Sequence, residues 1–287
     1  DELFVSHTQW NILEESTELF VAFGGVPVKN AQVAGGGTSE HRAPGAIRRM
    51  AARGVRFVNV SPVRDSLSAE GACEWIPLRP NTDTALMLGI AHTLVTENLH
   101  DQRFLERCAV GFEPFERYLL GREDGQPKDA RWAAEITQVP AERIVRLARE
   151  MAGHRTLVNL SFSLQRADHG EQPFWMGTTL AALIGQLGLP GGGFGLYGAT
   201  NTMGSPHPRF RGPTLGQGTN PIDAFIPVAR IADCLLQPGA PFQYNGAEHV
   251  YPDIRLVYWA GGNPFHHHQD LHRLVDAWRR PETIVIH

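Results

Sequence analysis

The chain has little cysteine, no long apolar run, no excess of positive charge and none of the common nucleotide-binding fingerprints. Its three cysteines, Cys73, Cys108 and Cys234, stand alone. Without a Cys-x-x-Cys pair they suggest neither a thiolate zinc site nor an iron–sulfur cluster in this segment, and they provide no disulfide framework. No apolar run approaches the roughly 20 residues that cross a bilayer, and no basic-then-apolar leader precedes the first apolar stretch. A net charge of −4 with a pI near 6.4 gives no basic field for nucleic acid or an anionic membrane. Neither Gly-x-Gly-x-x-Gly nor Gly-x-x-x-x-Gly-Lys-[Ser/Thr] occurs between a strand and a helix, so ordinary dinucleotide and P-loop signatures are excluded. What is present is enough apolar material for one large or two medium globular domains: 287 residues, 42% hydrophobic, with 30 glycines and 20 prolines. The chain opens on Asp1 without Met and stops at His287, behind the apolar run Thr283 to Ile286. That pattern is expected of a segment cut from a longer protein.

Apolar β-rich runs alternate with helical patterns along the chain. Leu19 to Phe23, Val55 to Val60, Trp75 to Leu78, Thr156 to Leu160, Ile254 to Trp259 and Thr283 to Ile286 read as strands. Pro44 to Arg53 has helical spacing, and Thr82 to Thr96 is a strongly periodic helix with Asn81 or Thr82 as N-cap and Asp83 in its first turn. Phe104 to Cys108, Phe112 to Leu120, Arg131 to Thr137 and Ala141 to Met151 form a helical run. Pro173 to Leu187 is a long apolar helix ended by Gly188, and Pro227 to Leu236 and Gln269 to Trp278 follow as helices. Between Gly191 and Pro221 the composition turns to Gly, Pro, Ser, Thr and Asn, which predicts a loop or domain crossing. Strands separated by helices imply parallel pairing. The expected fold is therefore α/β, with doubly wound, mostly parallel sheets, flanking helices and two α/β units.

In such sheets the ligand lies beyond the carboxyl ends of the strands. The loops there are Gly24 to Asn30, Ser61 to Arg64, Leu78 to Asp83, Ser161 to Gln172, Gly261 to His268 and His287. They share a chemistry. Arg64, Arg79 and Arg166 suit phosphate, while Ser61, Asn81, Thr82, Ser163, Gln165 and Asn263 offer neutral hydrogen bonds. Asp83 can accept from a guanine edge or a ribose hydroxyl. A large polar ligand with several phosphates fits that inventory better than a small acid. His266, His267 and His268 are a weak metal signal, because successive helical residues point about 100° apart and only His268 and His272 share a face.

Four stretches carry a family resemblance, namely Ser161-Phe162-Ser163-Leu164-Gln165-Arg166, His169-Gly170-Glu171-Gln172, Leu189-Pro190-Gly191-Gly192-Gly193-Phe194-Gly195 and Gly261-Gly262-Asn263-Pro264 with His267-His268-Gln269-Asp270. With the helix from Thr82 to His92 they closely resemble the dimethyl sulfoxide, trimethylamine N-oxide and biotin sulfoxide reductases, in family order over nearly the whole chain. Within that group the chain looks most like the biotin sulfoxide enzymes. The resemblance implies Rossmann-like units gripping bis(molybdopterin guanine dinucleotide) with its molybdenum. Residues 1–200 look like the domain holding one dinucleotide, 201–226 a Gly/Pro-rich crossing, and 227–287 part of the domain holding the other. Carried across by motif, the cofactor contacts are Asn30, Ala31, Val60, Ser61, Asn81, Thr82, Asp83, Phe162, Ser163, Arg166, Asn263, His267 and His287. Gly24-Gly25-Val26-Pro27 departs from the Asn-Pro or Asp-Pro turn usual at that point.

The serine that ligates molybdenum in these enzymes has no counterpart here and is expected upstream, so no catalytic or metal-ligating residue is assigned and the segment alone is expected to be inert. The implied chemistry is oxygen-atom transfer from an S-oxide or N-oxide, carried by metal and pterin while protein groups bind and orient them. The resemblance implies a cytoplasmic enzyme if it is of the biotin sulfoxide type and a periplasmic one otherwise, and it leaves open whether electrons come from a donor protein or reduced nicotinamide. A nonenzymatic α/β nucleotide-binding module and a sugar-nucleotide transferase are the other classes that these loops allow.

Overall fold

The computed structural model describes residues 8–29, 42–67, 69, 71, 73–197, 215–216, 218–219, 221–222 and 224–287. The chain divides into two compact units, Asp1–Phe210 and Arg211–His287. The first unit is built on a five-stranded sheet of β1 (Leu19–Phe23), β2 (Arg56–Val60), β3 (Cys73–Ile76), β4 (Thr156–Ser161) and β5 (Gly193–Tyr197). All pairs are parallel and the order is β3-β2-β1-β4-β5. Strands covered on both faces are apolar at successive positions, and β1, with the sequence Leu-Phe-Val-Ala-Phe, is buried throughout. Alternate residues serve opposite cores. Phe20, Ala22, Phe57 and Leu157 pack with α1 (Trp10–Ser16) and α2 (Arg42–Ala52). Leu19, Val21, Val58, Val158 and Leu160 pack with α3 (Asp83–Thr96), α6 (Ala130–Thr137), α7 (Ala141–Gly153) and α8 (Gln172–Leu183). Helices α4 (Gln102–Cys108) and α5 (Phe112–Leu119) complete this layer.

Helix α3 is buried on nearly every side, which explains why its sequence Asp-Thr-Ala-Leu-Met-Leu-Gly-Ile-Ala-His-Thr-Leu-Val-Thr shows no polar face. It threads between α6, α7 and α8, and it begins at the carboxyl edge of the sheet. That position sets Asp83 at the edge where β1, β2 and β4 also end.

Several details of local structure differ from expectation. The third strand ends at Ile76 rather than Leu78, because Pro77 has no N–H to give the ladder. Helix α8 stops at Leu183, with Ile184 as its C-cap. Gly185, at φ +66 and with a built Cβ 2.5 Å from Asp101 Oδ2, ends it a turn before Gly188. The Gly-rich stretch after Gly191 contains strand β5, where Gly193, Phe194, Gly195, Leu196 and Tyr197 pair with Leu157 to Ser161. The glycines there mark close approach, since a Cβ on Gly192 would sit 2.5 Å from Gln186 Oε1. In the second unit an unexpected antiparallel hairpin joins β6 (Pro241–Tyr244) to β7 (Ala247–Val250). Asn245 and Gly246, at φ 49 and 76, make its two-residue turn. Asn-Gly between strands is the strongest short-range hairpin signal.

The second unit also contains α9 (Ile231–Leu236), β8 (Leu256–Trp259), α10 (Pro264–His267), α11 (Leu271–Ala277) and β9 (Thr283–Ile286). Strands β8 and β9 pair in parallel, with Tyr258 opposite Val285 and Trp259 opposite Ile286. The expected strand from Ile254 begins two residues later, at Leu256. No helix among the described residues is long and apolar enough to cross a membrane.

Candidate functional site

The order β3-β2-β1-β4-β5 makes the chain leave β1 toward one side of the sheet and return to build the other side from β4. Loops diverge at that switch, opening a crevice at the carboxyl ends. A cleft of about 730 Å³ lies there, walled by the loops after β1, β2 and β4 and by the start of α3.

Each wall is held by bonds that the sequence provides locally. After β1 the chain passes through Gly24 and Gly25, both left-handed at φ +81 and +75. Gly24 N donates to Val60 O at 2.8 Å and Val26 N to Ser66 O at 2.7 Å. A Cβ on Gly24 would stand 2.8 Å from Ser161 Cβ, and one on Gly25 would meet the Ser66 hydroxyl. Only glycines pass between the loops that follow β2 and β4. Behind β2, the buried Asn59 amide donates to Arg64 O at 2.9 Å and its Oδ1 accepts from Ser66 Oγ at 3.1 Å. The Ser61 hydroxyl accepts from Val63 N at 3.1 Å, and Trp75 Nε1 donates to Ser61 O at 2.8 Å. After β4, Ser163 is tied to Ser161 Oγ through its own hydroxyl at 3.1 Å.

Ser61, Asn81, Asp83, Ser163 and Arg166, all marked by sequence, are brought together around this cleft. Three others stand behind it in the same loops. Val60 is buried at the end of β2, the Thr82 hydroxyl turns back to donate to Arg79 O at 2.6 Å, and Phe162 packs against the core. Asn30 and Ala31 lie outside the described residues. Asn263 and His287 belong to the second unit, where Asn263 Oδ1 caps α10 by accepting from Phe265 N at 3.0 Å and His287 N extends the ladder to Trp259 O at 2.9 Å. His267 ends α10, and its side chain lies outside the description. The sequence pattern singled out neither Lys29 nor Asp65, yet both line the cleft. A lone cation and a lone acid in strand-end turns were their only signal.

Electrostatics set the cleft apart. Asp83 is 5% exposed and has no cationic partner among the described residues. Burial pushes its carboxyl up to about 6. Lys29 and Arg166 enter the same lining, and neither forms an ion pair among the described residues. Elsewhere Arg49, Arg143 and Arg149 are each paired with a carboxylate. A desolvated acid beside unpaired cations in one crevice suits a ligand that carries both anionic oxygens and N–H donors. A second hollow, of about 600 Å³, opens at the amino ends of β1 and β4. Its polar groups are already engaged in holding the fold, Gln186 with Thr156 N and His154 O, and Glu18 with Arg155 N.

A family profile described as molybdopterin oxidoreductase matches residues 5–287. The chain belongs to the molybdopterin oxidoreductase family. It is 51% identical to a biotin sulfoxide reductase of Cereibacter sphaeroides over 96% of this chain and 37% of that protein. It is 44% identical to a dimethyl sulfoxide/trimethylamine N-oxide reductase of the same organism, over 99% of this chain and 36% of that one. A trimethylamine-N-oxide reductase of Haemophilus influenzae is 42% identical over the same shares. The chain thus spans a little over a third of the length of these relatives. The matches favour neither a sugar-nucleotide transferase nor a nonenzymatic module, and family membership implies a molybdenum–molybdopterin cofactor.

Proposed function

We propose that this chain is the cofactor-gripping part of a molybdenum-dependent enzyme that reduces S-oxides or N-oxides, and that the group it grips is bis(molybdopterin guanine dinucleotide). One observation carries the reading: the buried Asp83 shares a strand-end cleft with Arg166 and Lys29, and none of the three has an ion-pair partner among the described residues. The donor set fits the group. A guanine or pterin ring presents adjacent N–H donors, which a carboxylate accepts, and a diphosphate presents anionic oxygens, which a guanidinium fork can hold in bidentate fashion. The glycine passage at Gly24 and Gly25 lets backbone come close to such a ligand.

Bound, the molybdenum–pterin group would supply the oxygen-atom and electron transfer, and the protein would supply binding and orientation. Ser61, Asn81, Asp83, Ser163 and Arg166 would hold one dinucleotide, with residues 1–200 as its domain. Asn263, His267 and His287 would hold the other from residues 227–287, across the crossing at 201–226. The relatives' names make an S-oxide or N-oxide the substrate class. The compartment proposed is the cytoplasm, with the periplasm as the alternative, supported by the likeness to a biotin sulfoxide reductase. The test is chemical analysis of the full-length protein from which the segment comes. Molybdenum and guanine nucleotide released by acid, in a ratio of one metal to two nucleotides, are expected, and a folded, active preparation lacking both would overturn the reading.

A further inference from the structure

Tyr258 is a residue that the family resemblance leaves without a role. It is 58% exposed on β8, a position where an aromatic ring gains little from burial. Its partner on the neighbouring strand is Val285, and His287 lies two residues beyond, on the same face of the parallel pair. Such diagonal neighbours are within reach of long aromatic side chains, as is known for antiparallel pairs as well. The Tyr258 hydroxyl stands 2.5 Å from His287 Nε2, and the two rings are 5.2 Å apart at 40°. Both lie at the carboxyl ends of β8 and β9, beside the turn that begins at Gly261.

The direction of that hydrogen bond follows from the chemistry of its partners. A phenol O–H is a stronger donor than an imidazole N–H and an imidazole nitrogen a stronger acceptor than a phenol oxygen, which favours the arrangement in which Tyr258 donates. A neutral imidazole whose Nε2 accepts must carry its own proton on Nδ1. We infer that Tyr258 is a positioning residue that fixes His287 as the Nδ1–H tautomer, so that His287 offers an N–H donor to an oxygen of a nucleotide bound at this strand end. The inference rests on the reading of the chain as a guanine-dinucleotide holder. It adds which atom of His287 donates and what holds the ring that way.

The tautomer is read directly by long-range proton–nitrogen NMR on protein labelled with ¹⁵N-histidine, with His287→Gln identifying the signal, and GDP is the probe for binding. In the wild-type chain His287 is expected as the Nδ1–H form, and its ring nitrogens shift on titration with GDP. Tyr258→Phe keeps the ring but removes the hydroxyl. His287 should then change to predominantly the Nε2–H form, and the GDP dissociation constant read at its resonances should rise roughly three- to tenfold, as for one lost hydrogen bond. Tyr258→Phe should leave the far-UV circular dichroism and melting temperature unchanged, as an exposed hydroxyl does. An Nε2–H form of His287 in the wild-type chain overturns the inference without any variant. So does a tautomer that changes while the His287 response to GDP does not. Failure of GDP to bind anywhere on the chain by calorimetry would instead count against the proposed function, leaving the tautomer measurement to decide the role of Tyr258.

Discussion

Replacing Asp83 by asparagine should make the ligand-free protein more stable at neutral pH and a worse binder. In the fold the carboxyl is raised from 3.8 to about 6 by burial, while in the unfolded chain it titrates as an ordinary aspartate. A raised acid contributes stability that is fully present below pH 3.8, declines as the pH climbs, and is lost above about 6. At about 1.36 kcal/mol for each pKa step, the ionised form is disfavoured in the fold by about 3 kcal/mol. The asparagine amide is itself a buried polar group and keeps part of that cost, so about 2 kcal/mol remains for Asp83→Asn to recover. For a unit of about two hundred residues that is a rise in Tm of about 4–8 °C.

Thermal melts of wild type and Asp83→Asn, taken without ligand from pH 4 to pH 8, are the assay. The gap should grow from pH 4 to pH 6 and stay flat above. A gap of constant size across that range would show that Asp83 titrates normally in the fold. A variant less stable than wild type at pH 8 would mean that a cation pairs with the carboxylate, and the description of the cleft would be wrong. Binding moves the other way. An amide offers one acceptor and a misplaced donor where the carboxylate offers two acceptors, so GDP affinity should fall about tenfold or more. Such opposition between stability and function is expected of a site group held in place by the fold and satisfied only by its ligand.

Three further perturbations test other parts of the structure. Arg166→Ala should lower cofactor occupancy in the full-length protein about ten- to hundredfold under limiting cofactor, with Arg166→Lys between it and wild type, as read by molybdenum content; normal occupancy in the alanine variant would make Arg166 a surface residue. Gly25→Ala should cost about 2 kcal/mol or more, because it combines a left-handed φ of +75 with contact against the Ser66 hydroxyl, and an unchanged urea midpoint would show that the loop shifts freely. Asn159, wholly buried on β4 between Ala22 and Gly195 with neither amide atom hydrogen-bonded among the described residues, should be replaceable by leucine with a gain of about 1–2 kcal/mol in urea unfolding, and a loss would show that the amide has a bound partner in solution.

The sequence made the sheet legible where burial wrote an unbroken apolar run, as in Leu19 to Phe23, which is covered at every position, and Thr156 to Leu160 stayed legible although Thr156 and Asn159 are polar and buried there. Where packing required glycine, the same rule failed. Strand β5 is a Gly-Phe-Gly-Leu-Tyr sequence whose first glycine, Gly193, faces Gln186 and the turn after α8, and glycine lowers strand propensity for reasons unrelated to that contact. The Asn245-Gly246 hairpin lay within the loop-like composition of its surroundings, although its turn residues are those that such a hairpin requires.

The candidate site was legible in a different way. Strand-end position alone named the loops, and the family motifs named Ser61, Asn81, Asp83, Ser163 and Arg166 within them, but what gives Asp83 its character is three-dimensional. A first-turn aspartate is usually a solvated helix charge, and nothing in Asn81-Thr82-Asp83 distinguishes the two cases. The difference is burial, which leaves Asp83 5% exposed in a cleft that it lines together with Gly24 of the β1 loop. Gly24 and Gly25 let that loop pass close to Ser66 and Ser161, and a loop held there is expected to keep water from the carboxyl. Gly25→Ala should for that reason alter the pH dependence attributed to Asp83, moving its titration back toward 3.8 as the loop is displaced and water enters. Measuring the melting curves of Gly25→Ala and of Gly25→Ala with Asp83→Asn from pH 4 to pH 8 separates the two effects. If the gap between single and double variants keeps the pH dependence seen in the wild-type background, the glycine passage does not control the acid, and its burial comes from α3 packing alone.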